Sequence, residues 1–449
     1  MKKLKKILCA VLVICVLFSL TLPLIGCGEE TNRLVVYNWE EYIDESVLDD
    51  FKEYYFNKTG KEIEIIYSKF DTNETMLTKV MNGDANIDIM CPSEYAIQKL
   101  LQEDMIEKLD KDLSKYPYLN NVNQLIYEKV EKTFGKLNVG GEKKDINDYF
   151  VPYMWGTLGI LYNTACVTQE EIEEAGWGLL WNSIGKESLN GQIYMKDSIR
   201  DAYAAATLYA KEKGVLPSEY KNLSIGELIN CTDEKLRIVA EQVLTEQKRV
   251  LKGYEVDFGK SDLARGVGYV NLAWSGDAIY AIEDLAPVND IELDYYTPET
   301  GANVWFDGWV MSKNAKNKEA AMEFINYLCM PEVAIKNAIY IGYTSAVDKE
   351  HLENNQAVID MLVENEYDSE EFFSSEIRYP DINSESFGVM KDFGKSNEEM
   401  VTMWERVKSS GDNMGTLLIV FVGVVIIWVA LIFIVIMAKN KRKKKIVRK

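Results

Sequence analysis

The spacing of hydrophobic residues changes repeatedly between two periods after residue 33. Short apolar runs over residues 34–37 and 87–91, and polar–apolar alternation over 62–67, are typical of strands. Apolar residues three and four positions apart predict helices over 45–57 and 73–81. This β-α-β-α-β order predicts a parallel, doubly wound sheet with right-handed crossovers.

The rest of the body continues this mixture of strands and helices. Residues 135–148, rich in Gly, Lys and Asp, are predicted to form a loop, whereas 201–213, 233–251 and 315–329 have helical spacing. A further strand is predicted over 267–274. Because a body of about 390 residues is too long for one hydrophobic core, we expect two lobes.

The start of the chain has the pattern of a secretory signal. Four lysines precede an apolar run over residues 7–25, which is too short and wrongly flanked to be a membrane span. The run ends in Leu-Ile-Gly-Cys at residues 24–27, which resembles a bacterial lipoprotein box. We therefore expect a signal peptide over 1–26, a lipid on Cys27 and a lipidated linker over 27–33.

The end of the chain has the pattern of a membrane helix. Residues 416–438 are uncharged and almost all apolar, and a helix of this length spans a hydrocarbon layer of roughly 30 Å. The tail over 439–449 is strongly basic, and the positive-inside rule assigns it to the cytoplasm. The body is then expected on the extracytoplasmic side of the cell membrane.

Charge and composition exclude several classes of function. Twelve of the 50 basic residues lie in the two ends, which leaves 38 basic and 71 acidic residues between them, a formal charge near −33. A body with this negative charge repels nucleic acid and is compatible with binding of a cationic ligand. His351 is the sole histidine, so zinc sites and histidine-dependent catalysis are poorly supported. No spacing typical of a disulfide framework or CxxC site connects the body cysteines, Cys91, Cys166, Cys231 and Cys329.

Candidate chemistry lies where predicted strands end. Four such segments combine an aromatic ring with an acid, namely 35–42, 91–95, 272–277 and 304–309, and residues 195–201 place two aspartates and an arginine at a helix start. Aromatic faces beside carboxylates are typical of a site for organic cations. For a single segment, core packing of the rings and helix capping by Asp or Ser remain equally good explanations.

The combined motifs resemble the bacterial spermidine/putrescine-binding proteins, which are receptors of polyamine ABC importers. The resemblance covers about residues 34–404 and rests on Tyr37-Asn38-Trp39-x-x-Tyr42, Pro92-Ser93-x-Tyr95, Pro152-Tyr153-x-Trp155-Gly156, Trp305-x-Asp307 and Ile341-Gly342-Tyr343. It implies an α/β type II periplasmic-binding-protein fold, with two doubly wound lobes and a cleft between them. The expected lobes are 34–155 with about 308–355, and 156–307 with about 356–412.

Residue by residue, the resemblance implies an aromatic cleft with hydroxyl groups on its walls. Rings expected to stack on or enclose the methylenes of the ligand are Trp39, Trp274, Trp305 and Tyr343. Side chains expected to line the cleft or form hydrogen bonds are Tyr42, Ser93 and Tyr95.

The expected carboxylates match the family in part. Asp307 and Glu41 stand where the family has an acid, and Asp307 is expected to bind an amine. The departures are Asp201 in place of Glu, Ser198 where the spermidine receptor has Asp, Asp277 as in the putrescine-specific receptor, and Glu40 in place of a small hydroxyl residue. The preference between putrescine and spermidine therefore stays open.

The function expected from the sequence is a membrane-anchored binding protein rather than an enzyme. It would capture putrescine or spermidine and deliver it to the permease and ATPase subunits of an ABC importer, without a cofactor or metal. One alternative is a surface receptor that senses polyamines without transporting them. A remote alternative is a hydrolase that uses paired acids such as Glu40 and Glu41.

Overall fold

A computed structural model describes residues 32–83 and 86–410 of the chain. The predicted signal peptide, the lipidation site at Cys27, the transmembrane helix over 416–438 and the basic tail all lie outside the described residues. Within that described part, no helix is long and apolar enough to cross a membrane. The same part forms the α/β body that the hydrophobic pattern predicts.

Most strands are short and two are long. The strands in chain order are β1 (Arg33–Trp39), β2 (Glu64–Phe70), β3 (Ile89–Met90), β4 (Ile106–Glu107), β5 (Lys136–Val139), β6 (Glu142–Asp145), β7 (Phe150–Asn163), β8 (Ile193–Lys196), β9 (Leu251–Glu255), β10 (Val270–Trp274), β11 (Leu293–Tyr296), β12 (Ala302–Ser312), β13 (Thr344–Ser345) and β14 (Phe387–Gly388).

Helices connect these strands and cover the sheet. In chain order the α-helices are α1 (Ser46–Thr59), α2 (Asn73–Met81), α3 (Glu94–Gln102), α4 (Gln124–Phe134), α5 (Gln169–Ala175), α6 (Ile199–Glu212), α7 (Ile225–Asn230), α8 (Glu234–Gln247), α9 (Gly259–Ala264), α10 (Ser275–Tyr280), α11 (Lys318–Leu328), α12 (Pro331–Ile341), α13 (Lys349–Glu353), α14 (Gln356–Glu364), α15 (Ser369–Ser374) and α16 (Asn397–Ser409).

The main strands form one hydrogen-bonded series in the order β2-β1-β3-β12-β7-β10-β8-β9. β1 pairs in parallel with β2 and β3, which confirms the parallel unit predicted for the start of the body. β8 pairs in parallel with β9 and β10. We call β1–β3 the first strand group and β8–β10 the second strand group.

The long strands β7 and β12 connect the two groups. They run antiparallel, with Val304 opposite Thr157 and Val310 opposite Phe150, and every residue of both strands is buried. β12 reaches the first group through β3, and β7 reaches the second group through β10. Strands that are covered on both faces can be apolar along their whole length, as most of β7 is.

Two predictions from the hydrophobic pattern are wrong in the connecting segments. Residues 135–148 contain the β5–β6 hairpin, whose turn is formed by Gly140 and Gly141, both with positive φ. The buried residues Leu137 and Val139 alternate with exposed ones, a strand pattern that the many polar residues obscure. The helix predicted over 233–251 ends at Gln247, and β9 follows it.

The prediction that residues 304–309 end a strand is also wrong. β12 continues through this segment to Ser312, so Trp305 and Asp307 lie inside a strand. Its pairing with β7 shifts register between Asp307 and Gly308. A polar residue followed by glycine is typical of a strand end, but here the two residues mark a bulge inside the strand that joins the two groups.

Replacing Gly308 with Ala should destabilise the body. A Cβ atom at this position would lie 2.4 Å from Phe150 Cδ2 and 2.9 Å from the Val151 carbonyl oxygen. Because the second obstacle is backbone, we expect the free energy of unfolding to fall by about 1–3 kcal/mol. Denaturant unfolding of the full-length protein measures this change. Gly253→Ala is the matched control, because its Cβ would meet nothing within 4 Å; equal effects of both substitutions would contradict the prediction.

Candidate ligand-binding site

The predicted site residues come from both strand groups and from β12. Trp39 ends β1 and Trp274 ends β10, as expected from the sequence. Ser93 follows β3 and lies beside Asp307 of β12 in an isolated antiparallel bridge. α/β sheets usually hold ligands at the carboxyl ends of their parallel strands. In the strand order β12 lies between the two groups, and its residue Asp307 is next to Ser93, just beyond the carboxyl end of β3.

Asp307 is a buried carboxylate with neutral partners. Its Oδ2 atom accepts a hydrogen bond of 2.7 Å from the Tyr42 hydroxyl, and Asp307 itself is 5% exposed. Its Oδ1 atom is buried and has no hydrogen-bond partner among the described residues. Burial raises the pKa of Asp307 to about 7, against the opposing effect of the nearby Ser93 and Tyr42 hydroxyl groups. An uncompensated carboxylate oxygen of this kind favours a cationic partner.

Asn73 holds two of the predicted hydroxyl groups in place. Its side-chain amide donates hydrogen bonds of 2.9 Å to Ser93 Oγ and 2.9 Å to the Tyr95 hydroxyl, and its amide oxygen accepts the Ser93 backbone N–H. The sequence analysis did not assign Asn73 to the site. Its position at the first residue of α2 was visible in the sequence, but its contacts with residues about 20 positions away were not.

Aromatic rings pack around Tyr42, the hydrogen-bond partner of Asp307. The Tyr42 and Tyr343 ring centroids are 5.0 Å apart at an interplanar angle of 84°, and Trp305 and Tyr343 are 5.7 Å apart. Trp39 and Tyr42 are 6.4 Å apart. The indole N–H groups of Trp39 and Trp305 are buried and have no hydrogen-bond partner within the described part of the chain. The structure therefore brings four of the predicted rings into one group, which contacts Asp307 through the Tyr42 hydroxyl.

Two glycines leave room for these rings. A Cβ atom on Gly276 would lie 2.2 Å from Tyr343 Cγ, and a Cβ atom on Gly156 would lie 2.7 Å from Trp305 Cζ2. Both rings therefore lie directly against backbone. Gly156 belongs to a motif that the sequence analysis quoted, whereas the role of Gly276 became visible through the packing of Tyr343.

Asp277 has a very different environment from Asp307. Its Oδ1 atom accepts hydrogen bonds of 2.9 Å from the Tyr343 hydroxyl and 3.1 Å from Lys260 Nζ, and Lys196 Nζ lies 3.3 Å from Oδ2. Burial opposes ionisation, but Lys260 and Lys196 hold the pKa of Asp277 below its usual value. The sequence analysis missed both lysines, which are far from Asp277 along the chain.

Ser198 and Asp201 lie at the start of α6. Ser198 caps the helix by accepting the Asp201 backbone N–H, as the capping interpretation of this segment predicted. Asp201 is buried, and burial raises the pKa of its carboxyl group. Beside them, the Arg200 guanidinium lies 3.8 Å from the Tyr95 ring centroid and 4.0 Å from that of Phe393. The sequence analysis did not assign a role to Arg200.

Glu94 is a buried acid that the sequence analysis left out of the site. Its Oε2 atom accepts the backbone N–H of Phe306, the residue before Asp307. Burial raises the pKa of Glu94 to about 8, and the nearby Asp307 charge adds to this effect. The neutral form of Glu94 is therefore favoured at physiological pH, and its contact helps to position β12.

Glu40 and Glu41 are exposed, unlike the other predicted acids. Glu41 adopts a positive φ of 49°, and its Oε2 atom lies 3.8 Å from Lys260 Nζ. Neither glutamate lies in the kind of apolar pocket that an acid catalyst requires. Among the described residues there is also no cluster of His, Cys, Asp or Glu that could hold a metal ion.

Comparisons with known proteins identify the class of this chain. Residues 47–358 match the family described as bacterial extracellular solute-binding protein, and the chain belongs to that family. It is 30% identical over 317 residues to the spermidine/putrescine-binding periplasmic protein of Salmonella typhimurium, covering 70% of this chain and 78% of that protein. It is 27% identical over 389 residues to the putrescine-binding periplasmic protein SpuD of Pseudomonas aeruginosa, covering 84% and 92%.

Solved structures show the same relationship. The spermidine/putrescine ABC transporter substrate-binding protein PotD from Streptococcus pneumoniae matches with a TM-score of 0.61 and 27% identity, over 85% of this chain and 99% of that chain. The Tp0655 lipoprotein of Treponema pallidum matches with a TM-score of 0.63 at 19% identity, which shows the fold alone. The resemblance inferred from the sequence motifs and the periplasmic-binding-protein fold are thus confirmed.

The raised pKa of Asp307 predicts a pH-dependent effect of Asp307→Asn. The folded state keeps the Asp307 proton up to about pH 7, whereas an unfolded Asp releases it near pH 4. Between these values the folded state binds more protons, so the stability contribution of Asp307 falls as pH rises. Asn stays neutral, so the variant should gain on the order of 1–4 kcal/mol relative to wild type between pH 5 and pH 8.

Denaturant unfolding at the two pH values measures this difference. Glu40→Gln serves as the control, because Glu40 is exposed and a surface substitution should change the free energy of unfolding by less than about 0.5 kcal/mol. A difference between Asp307→Asn and wild type that is the same at pH 5 and pH 8 would contradict the prediction.

Proposed function

We propose that this protein is a polyamine receptor that captures putrescine or spermidine and delivers it to an ABC importer. The observation that carries the proposal is the buried Asp307 Oδ1 atom, which lacks a partner in the described part of the chain. Relatives named for spermidine and putrescine binding support the ligand class. The family is one of solute-binding proteins, which supports binding rather than catalysis.

An alkylammonium group fits the chemistry around Asp307. It would donate a charge-assisted hydrogen bond to Oδ1, while Oδ2 keeps its bond from Tyr42. Trp39, Trp305 and Tyr343 offer apolar walls to methylene groups and ring faces to the positive charge, each worth roughly 0.5–2 kcal/mol. Micromolar affinity corresponds to about −8 kcal/mol, and one charge-assisted pair at Asp307 together with these three rings can supply much of it.

The proposal includes two lobes that close on the ligand by a hinge motion. Their boundaries are those expected from the sequence, 34–155 with about 308–355 and 156–307 with about 356–412. The strand groups support this division, because β7 and β12 are the long strands that connect them. One hydrophobic cluster packs α12 and α13 against α14 and α15, so for these helices we propose a single unit, with the boundary after α15 instead of near residue 355.

Membrane attachment is also part of the proposal. The lipoprotein box at Cys27 and the apolar segment 416–438 would hold the body on the extracytoplasmic side of the membrane, with the basic tail in the cytoplasm. The support for this is the sequence pattern of the two ends. Attachment at both ends would keep the receptor near the permease subunits of the importer.

Isothermal titration calorimetry of the full-length protein tests ligand binding. We expect putrescine or spermidine to bind and a neutral amide of similar length to give no heat. Asp307→Asn should weaken amine binding by about 1.5–3 kcal/mol, because a charge-assisted hydrogen bond is lost. Glu364→Gln, an exposed acid at the end of α14, is the control and should bind like wild type.

Two results would contradict the proposal. If neither amine binds above the amide control, the ligand class is wrong. If amines bind but Asp307→Asn binds them with unchanged affinity, Asp307 is not part of the site. Uptake of labelled amine by cells that produce the full-length chain then tests delivery to an importer.

A further inference from the structure

We propose that Lys196 occupies an ammonium subsite of the cleft, so that this receptor accepts a diamine in preference to the longer triamine spermidine. The proposal rests on the proposed function, because it concerns which polyamine the same site admits. It follows from the contacts of Lys196, a residue at the carboxyl end of β8.

Lys196 makes the contacts that a bound alkylammonium ion would make. Its Nζ atom lies 4.1 Å from the Trp274 ring centroid, the ring expected to face the ligand. The same atom donates a hydrogen bond of 2.7 Å to the Val256 carbonyl oxygen and lies 3.0 Å from Glu255 Oε1 and 3.3 Å from Asp277 Oδ2. The side chain is 1% exposed. The aromatic face and two carboxylates are therefore already used by the protein.

The subsite is built from three adjacent strand ends. Lys196 ends β8, Glu255 ends β9 and Trp274 ends β10, and β8 pairs in parallel with both neighbours. Asp277 follows in the first turn of α10. Because the carboxyl ends of these strands meet at one edge, the lysine and its partners form a fixed cluster.

The two carboxylates that Lys196 contacts are already paired with buried lysines, whereas Asp201, a third buried acid near Lys196, forms no ion pair among the described residues. Lys196 and Lys260 face Asp277 and Glu255, and all four side chains are at most 9% exposed. Asp257 and Glu41, the other acids beside Lys260, are mostly exposed. A further ammonium group directed toward Asp277 and Glu255 would lose its hydration without gaining a free carboxylate, which is unfavourable in a buried site.

Asp307 contrasts with this cluster. Within the described residues its one side-chain hydrogen bond comes from the neutral Tyr42 hydroxyl, and the other carboxylate oxygen has no partner. The cleft therefore offers free negative charge around Asp307 and compensated charge at Asp277. Asp277 is then a partner of lysines rather than of a ligand amine, and a third ammonium group directed toward Asp277 and Glu255 finds no free carboxylate there.

The test compares putrescine and spermidine binding to the full-length wild type and to Lys196→Ala. In wild type, putrescine should bind at least as tightly as spermidine. Lys196→Ala uncovers the Trp274 ring and frees two carboxylates, so the affinity for spermidine relative to putrescine should rise about tenfold or more. Lys186→Ala is the matched control, because Lys186 forms an ion pair of 2.9 Å with Glu171 in α5 and, within the described part of the chain, no ion pair with the site residues named above.

A second measurement does not depend on polyamine binding. If the subsite binds ammonium groups, millimolar ethylammonium chloride should raise the Tm of Lys196→Ala relative to an equal concentration of sodium chloride, and should not do so for wild type. If Lys196→Ala folds poorly, Lys260→Met is a second variant, which removes the ammonium group from Asp277 Oδ1. Lys260→Met should also raise the affinity for spermidine relative to putrescine.

The outcomes separate the two proposals. Wild-type protein that binds no amine overturns the proposed function, while rescue of Lys196→Ala by ethylammonium still supports the subsite. Tighter spermidine than putrescine binding by wild type, an unchanged affinity ratio in both lysine variants, or the absence of ethylammonium rescue in a folded Lys196→Ala protein would each overturn the inference.

Discussion

The antiparallel pairing of β7 and β12 is the constraint on which the rest of the structure depends. These buried strands connect the two strand groups, and their register sets where side chains from β12 meet residues from both sides. The register shift at Asp307 and Gly308 falls where Asp307 adjoins Ser93. A one-residue slip in a strand turns each side chain to the opposite face, so the carboxylate position follows from this pairing.

Asp307 and Asp277 are both buried, but their neighbours give the two carboxylates different properties. Asp307 accepts a hydrogen bond from the Tyr42 hydroxyl, and among the described residues it forms no ion pair. Asp277 contacts two ammonium groups and a tyrosine hydroxyl. Burial alone disfavours both charges, but the lysines reverse this effect at Asp277. A carboxylate beside aromatic rings is therefore insufficient evidence for an amine site until its protein partners are known.

The sequence predicted the parallel α/β arrangement and most rings around Asp307, because strand periodicity and family motifs are local patterns. Trp39, Tyr42, Trp305 and Tyr343 do approach one another in the structure. Lys196 and Lys260 were not predicted. A single lysine in a mixed segment looks like a surface residue, and its ion pair with Asp277 depends on how separate strands and helices meet. The roles of Arg200 and Glu94 were hidden for the same reason.

Contacts between residues of the first and second strand groups differ in strength, and the proposed hinge motion would break the weaker ones more easily. Glu41 and Lys260 are 3.8 Å apart and Glu74 and Arg200 are 3.6 Å apart, and both glutamates are largely exposed. Their partners Lys260 and Arg200 are buried, but since the glutamates are solvated and the separations long, each pair is expected to contribute less than about 1 kcal/mol.

The buried hydrogen bond from Tyr343 to Asp277 is shielded from water and links Tyr343 to the second strand group. A cation at Asp307 would act beside this hydrogen bond, because Tyr343 packs against Tyr42 and Tyr42 donates to Asp307. A ligand shifts a conformational equilibrium by its differential affinity for the two states. The Tyr42–Tyr343 contact therefore connects the charge at Asp307 with the hydrogen bond by which Tyr343 reaches the second strand group.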